Sequence, residues 1–595
     1  STPESRAIRH DWGLTLTELA EERFIRPIEE WSRRNGVQFR LQGYGIPPAV
    51  LSSNRLVDLP EGEGAQWREL WASRWASSAS HLYGKPVTSS ETWTWLHSPS
   101  FAATPLDMKA EADRHFLQGI TQLIGHGWPY TAEGVEYPGW RFYASAVFND
   151  KNPWWLVMPD VTLYLQRVSH LLRQGNPGNS VAVYLPNHDA YGDFRLGRAH
   201  MLEILKARLG PAVVPAVLDA GYGFDFFDDT AVDRVLSGPY RLAILPAVET
   251  IPAETLHKLK AFAGRGNTVL ATRRLPDRSP GYLATPAQHQ EVAALASQFV
   301  KLVATEAELG AAMRAAAPPE LQVEPPSDEI GFIRRVLPGA EVYFIANTGN
   351  TAKSGTLKPC SKPAAAEWWD PKTGAVEGAG AVPIEFELAP YESRILVLSG
   401  QAAEKKRRLP APLPPLDLST GWTLRVPGEN QPRALRALAP WSSLEGLIYF
   451  SGIATYEKTF TLHAGRLSAG VEAFLDFGAG RPDGTPGRGP GMRALLDAPV
   501  RDAAEVWVNG KRAGPLWSPP YRLAITSLLK PGVNEIRVLV ANTAINHMAG
   551  RPLPDYRLLN SRFGTRFEPQ DMDKVQPAPS GLTGPARLVF ERSLQ

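Results

Sequence analysis

Apolar positions in the first 175 residues recur near the helical period and are interrupted by short alternating runs, a pattern that predicts successive β/α units. Leu19, Phe24, Ile25, Ile28 and Trp31 predict a helix over 17–35, with Gly36 just past its end. Residues 37–41 read as a strand, 65–83 as a helix and 86–90 as a second strand. A helix over 105–119 precedes a third strand beginning at Gln122, and a fourth strand at 144–148 precedes a helix over 160–173. Four such units amount to half of an eight-stranded (β/α)8 TIM-type barrel. They would be its C-terminal half, residues 1–178, because the next region changes character.

From Ser180 the chain reads as a flavodoxin-like α/β domain, 179–306, with buried strands at 181–185, 241–246 and 268–271 and helices at 202–209 and 254–264. It carries no G-x-G-x-x-G, so dinucleotide binding has no support. Residues 307–400 become short, Gly/Pro-punctuated strands, a small all-β domain. The stretch 404–415 is charged and proline-rich and reads as a solvated linker rather than a polybasic partner site. Residues 416–595 alternate with period two, as a β-sandwich does. Glu505 to Gly514 reads as a strand, an Asn-Gly turn and a return, and 478–493 as a long loop. The fold class is therefore multidomain, α/β plus all-β.

The 595 residues suffice for several cores, and 63 Lys+Arg against 61 Asp+Glu leave a formal charge of +2. Balanced charge with no basic face argues against nucleic acid as partner. No run is apolar enough for a membrane span, and the first residues carry no signal-peptide pattern. The single cysteine, Cys360, excludes an intrachain disulfide and, with no histidine near it in sequence, gives no basis for thiol chemistry. The 17 Trp suit either core packing or the aromatic faces of sugar sites.

Barrel enzymes carry their catalytic groups at the C-terminal ends of strands. Glu91 follows a short strand and lies beside Trp93 and Trp95, where a carboxylate can serve as acid, base or nucleophile. Asp58, Glu61 and Glu63 form an acidic loop of the oxygen-donor type that suits Ca²⁺, although an acidic loop is usually just solvated. His126 ends the third strand, where its ring could bond a sugar hydroxyl. Trp154, in Asn152-Pro153-Trp154-Trp155, could form an aromatic wall, and Gln42 ends the first strand.

Gln42-Gly43-Tyr44-Gly45, Asp58-Leu59-Pro60-Glu61-Gly62-Glu63, Glu91-Thr92-Trp93-Thr94-Trp95, His126-Gly127-Trp128-Pro129-Tyr130 and Asn152-Pro153-Trp154-Trp155 occur in this order. Together they resemble the C-terminal half of the catalytic barrel of glycoside hydrolase family 106 α-L-rhamnosidases. The tail, with Val506-Trp507-Val508-Asn509-Gly510, is similar to the galactose-binding-like sandwich of many exo-glycosidases. The resemblance implies inverting hydrolysis of terminal α-L-rhamnose from glycosides or polysaccharides, with Glu91 as general base and Gln42, Trp93, His126 and Trp154 around the sugar. It also implies a bound Ca²⁺ with Glu61 and Glu63 as ligands. Family members are longer, and their general acid lies on an earlier strand, so the acid role falls on no residue here. An isolated half barrel would expose an apolar interior and two strand edges, which makes the missing N-terminal strands, cleaved or on a separate chain, the expected partner. A glycoside-degrading role favours the periplasm or the exterior. The alternatives are a non-catalytic carbohydrate-binding protein and a barrel glycosidase for another sugar, β-galactosidase-like.

Overall fold

Four short parallel strands open the architecture: β1 (Arg40–Gln42), β2 (Leu59–Glu63), β3 (Ser89–Thr92) and β4 (Gln122–Gly125), paired in chain order. This is a computed structural model, and it describes residues 2–95, 99–141, 147–400, 409–484, 493–552, 555–567 and 575–594. The strand count agrees with the sequence reading, but one strand differs. The acidic segment expected to be a loop is β2, while the expected strand at 144–148 falls largely outside the described residues. Gly62 shows why β2 can sit where it does. A Cβ there would stand 2.5 Å from Ser73 Cα in helix α3, so only glycine lets helix and strand approach this closely.

The helical layer consists of α1 (Pro3–Ala20), α2 (Arg26–Arg34), α3 (Ala72–Leu82), α4 (Pro105–Phe116) and α5 (Met158–Leu172). A π-turn at Glu21–Ile25 joins α1 to α2, so helix begins at Pro3, well before the expected residue 17. Thr2 caps it by accepting from Ser5 N–H, with Pro3 at the first turn. Thr104 and Asp107 form a reciprocal capping box that starts α4. Buried Lys109 of α4 bonds Asp113 (2.7 Å), the Tyr391 carbonyl (2.6 Å) and Ser393 Oγ (3.0 Å), tying the helix to the β region.

A two-residue strand, β5 (Asn176–Pro177), crosses to the β region, and a second parallel sheet follows. Its strands are β6 (Val181–Tyr184), β7 (Phe224–Phe227), β8 (Leu242–Pro246), β9 (Thr268–Thr272) and β10 (Val300–Val303), in the order β10-β9-β8-β6-β7. β6, β7 and β8 are buried throughout and, apart from Asp225, apolar, as expected of strands covered on both faces, whereas the edge strand β10 exposes Lys301 and Leu302. The helix Glu306–Ala316 buries Leu309 and Met313 in the same core. The α/β unit therefore extends past the expected limit at 306, and the antiparallel β region begins at Leu321.

That region pairs a three-stranded sheet with a six-stranded one around Leu321, Tyr343, Leu357, Ile384 and Leu396. The final region stacks four- and six-stranded sheets over Trp422, Tyr456, Val506 and Val538. Its hairpin turns at Asn509 (φ 50°) and Gly510 (φ 79°), the two positive angles that a two-residue turn of this kind requires. The expected linker is corrected at Leu409–Asp417, which is an edge strand paired with Arg587–Leu594. An edge tolerates the prolines because one side of the strand needs no N–H donors. Residues 401–408 and, of the expected loop 478–493, residues 485–492 lie outside the described residues. Among the described residues no helix is long and apolar enough to cross a membrane.

Candidate active site

Register-paired side chains in a parallel sheet point to the same side. The register pairs Gln42 with Glu61, Glu61 with Ser89, Glu63 with Glu91, and Glu91 with Ile124. Three carboxylates thus share one face with Gln42 and Ser89, opposite the face on which Gly62 meets α3. The apolar interior expected of a half barrel is instead largely polar. This also explains why β2 was unreadable as a strand: its back is Pro60 and Gly62 and its front is acidic, so no apolar alternation marks it.

Glu91 is fixed at both oxygens. Gln42 Nε2 donates to Oε2 at 3.0 Å, and the Thr94 hydroxyl donates to Oε1. Each oxygen has capacity for a further hydrogen bond. Glu63 accepts from the Tyr44 hydroxyl. Burial pushes the Glu63 carboxyl up; the Tyr44 bond opposes this, and the Glu91 charge adds to it. Burial also raises the Tyr44 phenol, and the Glu63 contact reinforces that shift. Glu61 accepts from Ser89 Oγ at 2.7 Å and pairs with Arg40 Nε at 3.3 Å. His126 follows β4, with its N–H on the Thr92 carbonyl, and lies near enough to Glu63 to pull its carboxyl down electrostatically.

The structure therefore brings Gln42, Glu61, Glu63, Glu91 and His126 together. It does not do so for the two tryptophans. Trp93 is 6% exposed and Trp154 is 0% exposed, both within the apolar cluster that contains Phe116 and Tyr164. Neither has a free ring face for a sugar here, so their expected stacking role is corrected to core packing. Beyond β4 the exposed indoles are Trp128 (58%) and Trp140 (50%), with Tyr130 edge-on to Trp140 at 6.4 Å. For Trp128 the available signal was its place in Trp128-Pro129-Tyr130, shortly after the end of β4.

Sequence reasoning also missed the group that holds the turn after Glu91. Buried Glu111 of α4 accepts the Trp93 N–H at Oε1 (2.7 Å) and the Trp95 indole N–H at Oε2. Trp93 sits at φ 67°, a left-handed conformation that a bulky residue adopts only when held there. One helical turn on, His115 reaches Ser90 Oγ at 3.0 Å on the back of β3.

The oxygens of Glu61 and Glu63 are of the kind Ca²⁺ takes, but the ion needs about six to eight of them. Among the described residues no three His, Cys, Asp or Glu side chains are grouped to hold a metal. Glu61 is also engaged by a guanidinium. The described residues do not form a calcium shell by themselves.

A family model for glycoside hydrolase family 106, alpha-L-rhamnosidase, matches residues 60–381. The rhamnosidase from Novosphingobium sp. PP1Y superposes with a TM-score of 0.74 at 22% identity, over 98% of this chain and 56% of that one. Gan42B, a GH42 beta-galactosidase from G. stearothermophilus, gives a TM-score of 0.46 at 12% identity, over 66% of this chain and 68% of that one. A curated protein provisionally named a beta-glucuronidase, from Formosa agariphila, is 22% identical over 427 residues, 67% of this chain and 34% of that protein. The chain thus spans 56% of the solved rhamnosidase and 34% of the curated relative. The rhamnosidase superposition shows a shared fold.

Proposed function

We propose that this chain, which belongs to glycoside hydrolase family 106, carries the water-activating half of an inverting exo-acting α-L-rhamnosidase, with Glu91 as general base. The observation that supports this best is the mounting of Glu91 on the acidic face of the first sheet, both oxygens oriented by Gln42 and Thr94. A water on its free lone pairs gives up a proton to the carboxylate as its oxygen attacks the anomeric carbon. The bond from that carbon to the leaving oxygen breaks on the opposite side, where a general acid outside this chain's assigned residues protonates it. Inversion turns an α-glycoside into the β-sugar and needs about 6.5–9.5 Å between the two carboxyl groups to admit the water.

Among the described residues β1 and β4 each have one sheet neighbour; in this reading the remaining barrel strands, and the acid with them, complete the sheet. Glu61 and Glu63 would contribute to a calcium shell only together with oxygens from that other half. Gln42 and His126 lie beside the carboxylates, where they can bond sugar hydroxyls, and Trp128 offers a ring face after β4. The working compartment in this reading is the periplasm or the exterior.

A second reading, another sugar such as a glucuronide, is favoured by the Formosa relative. A nitrophenyl glycoside panel on the native enzyme separates the two readings. Preferential turnover of the α-L-rhamnoside, with the β-anomer appearing first by NMR, supports the proposal. Preference for the β-glucuronide, or retention of configuration, overturns it.

A further inference from the structure

The α/β unit has a topological switch point between β6 and β8, because the chain leaves β6 toward β7 on one side and returns through β8 on the other. In open parallel sheets the crevice outside the strands' carboxyl ends at such a point is where ligands bind. A cleft of about 320 Å³ lies there, in the size range of small-molecule sites. Its walls are the segment after β6 (His188), the segments after β8 (Glu249) and β9 (Arg278, Tyr282), and α1 of the first unit (Ala7, His10).

The walls are bonded to one another, so the cleft is preformed. Buried Asp189 accepts the backbone N–H groups of Glu249 (2.9 Å) and Thr250 (3.1 Å). Arg278 N–H reaches the Glu249 carbonyl at 3.1 Å, and Ile251 N–H reaches the Arg278 carbonyl at 3.0 Å. Asp11 clamps the fourth wall, accepting from Tyr282 N–H at 3.0 Å and from His10 Nδ1 at 2.8 Å.

The charges define the ligand. His10 Nε2 meets His188 Nδ1 at 2.8 Å, and His188 Nε2 meets Asp229 at 3.2 Å. The two rings thus stand in series between the Asp11 and Asp229 carboxylates. Arg278 pairs with Glu249 at 3.0 Å and Arg6 with Asp193 at 3.2 Å. Each of these cations has an acid beside it, which leaves little excess positive charge for a phosphate. Donors and acceptors alternate instead: His289 takes Ser279 N–H at Nδ1, which makes its Nε2 a donor, and Glu249 oxygens accept. The half-exposed Tyr282 ring stands at the rim.

We infer that this cleft is a binding site for a neutral, monosaccharide-sized polyol, read through adjacent hydroxyls by its paired acids and bases. The proposal does not depend on Glu91 or on the hydrolytic reading.

The test is saturation-transfer difference NMR on the native protein with L-rhamnose, D-galactose, D-glucuronate and inorganic phosphate. Ala7→Phe fills the cleft from α1 without removing a polar group, and Tyr282→Ala trims an exposed rim side chain. Expected is a neutral sugar bound with Kd on the order of 1 mM, its cleft-dependent signal weakened about tenfold by Ala7→Phe and at least about threefold by Tyr282→Ala. Neutral-sugar binding that neither cleft variant alters, no neutral-sugar binding at all, or cleft-dependent binding of glucuronate or phosphate alone would each overturn the assignment. Tyr282→Ala keeps the test decisive if Ala7→Phe does not fold.

Discussion

Replacing Glu111 with Gln perturbs the turn behind Glu91 while keeping its volume. The carboxylate accepts one N–H on each oxygen, from Trp93 at 2.7 Å and from the Trp95 indole. Glutamine offers one oxygen and one NH₂, so in either orientation a donor faces a donor. A hydrogen bond to a charged group contributes about 1.5–3 kcal/mol, and the surviving neutral bond about 1 kcal/mol. The left-handed Trp93 conformation costs about 1–3 kcal/mol. With the carboxylate, two charged bonds outweigh that strain; with the amide, a single neutral bond roughly balances it or falls short. The turn should then relax and release the Thr94 contact to Glu91. Expected is a kcat about 10–100-fold lower, equivalent to about 1.4–2.7 kcal/mol, with KM little changed and faster hydrogen exchange in a peptide covering 89–95. Thr94→Val should lower kcat comparably with exchange unaltered. Wild-type exchange and kcat within about twofold in Glu111→Gln would refute the reasoning.

Three further outcomes follow from the same structure. Asp113→Asn leaves the Lys109 ammonium unpaired in the interior, at a cost of about 3–5 kcal/mol, whereas a Lys109→Met, Asp113→Leu double variant should cost less; thermal denaturation compares them. Burial pushes the Glu320 carboxyl up to about 7. A raised folded-state pKa favours the protonated form, so this group's contribution is lost as pH rises from about 4.5 to about 7. The loss is about 3 kcal/mol, and Glu320→Gln should flatten the pH dependence of unfolding by that amount. A chelator should lower native turnover at least about tenfold, with Ca²⁺ restoring it and Glu63→Gln raising the Ca²⁺ required; turnover unaffected by the chelator would withdraw Glu61 and Glu63 as ligands.

Helix α4 and the apolar strands β6, β8 and β9 were legible because single-period patterns and caps mark them. So was the Asn509-Gly510 turn, where backbone geometry demands those residues. β2 was not, since a strand with acids in front and Pro60 and Gly62 behind has no apolar face to display. Leu409–Asp417 was hidden by prolines that only an edge position excuses, and that position is a tertiary fact. The candidate site divides the same way. Glu91, Gln42 and His126 stood out by residue type and strand-end position, and Glu63 as part of an acidic run. Trp93 and Trp154 misled because an indole serves a sugar face and a core equally well, and only packing decides. Glu111 sits mid-helix, 20 residues from Glu91, and no local signal links the two.

The base assignment is tested most directly by the kinetics of Glu91→Gln in the native enzyme on an aryl α-L-rhamnoside. The amide keeps the side chain's shape but cannot accept the water's proton. The expected result is kcat lower by about 10²–10⁴, KM within about threefold, and retained binding of L-rhamnose. A kcat within about threefold of wild type would contradict Glu91 as the base.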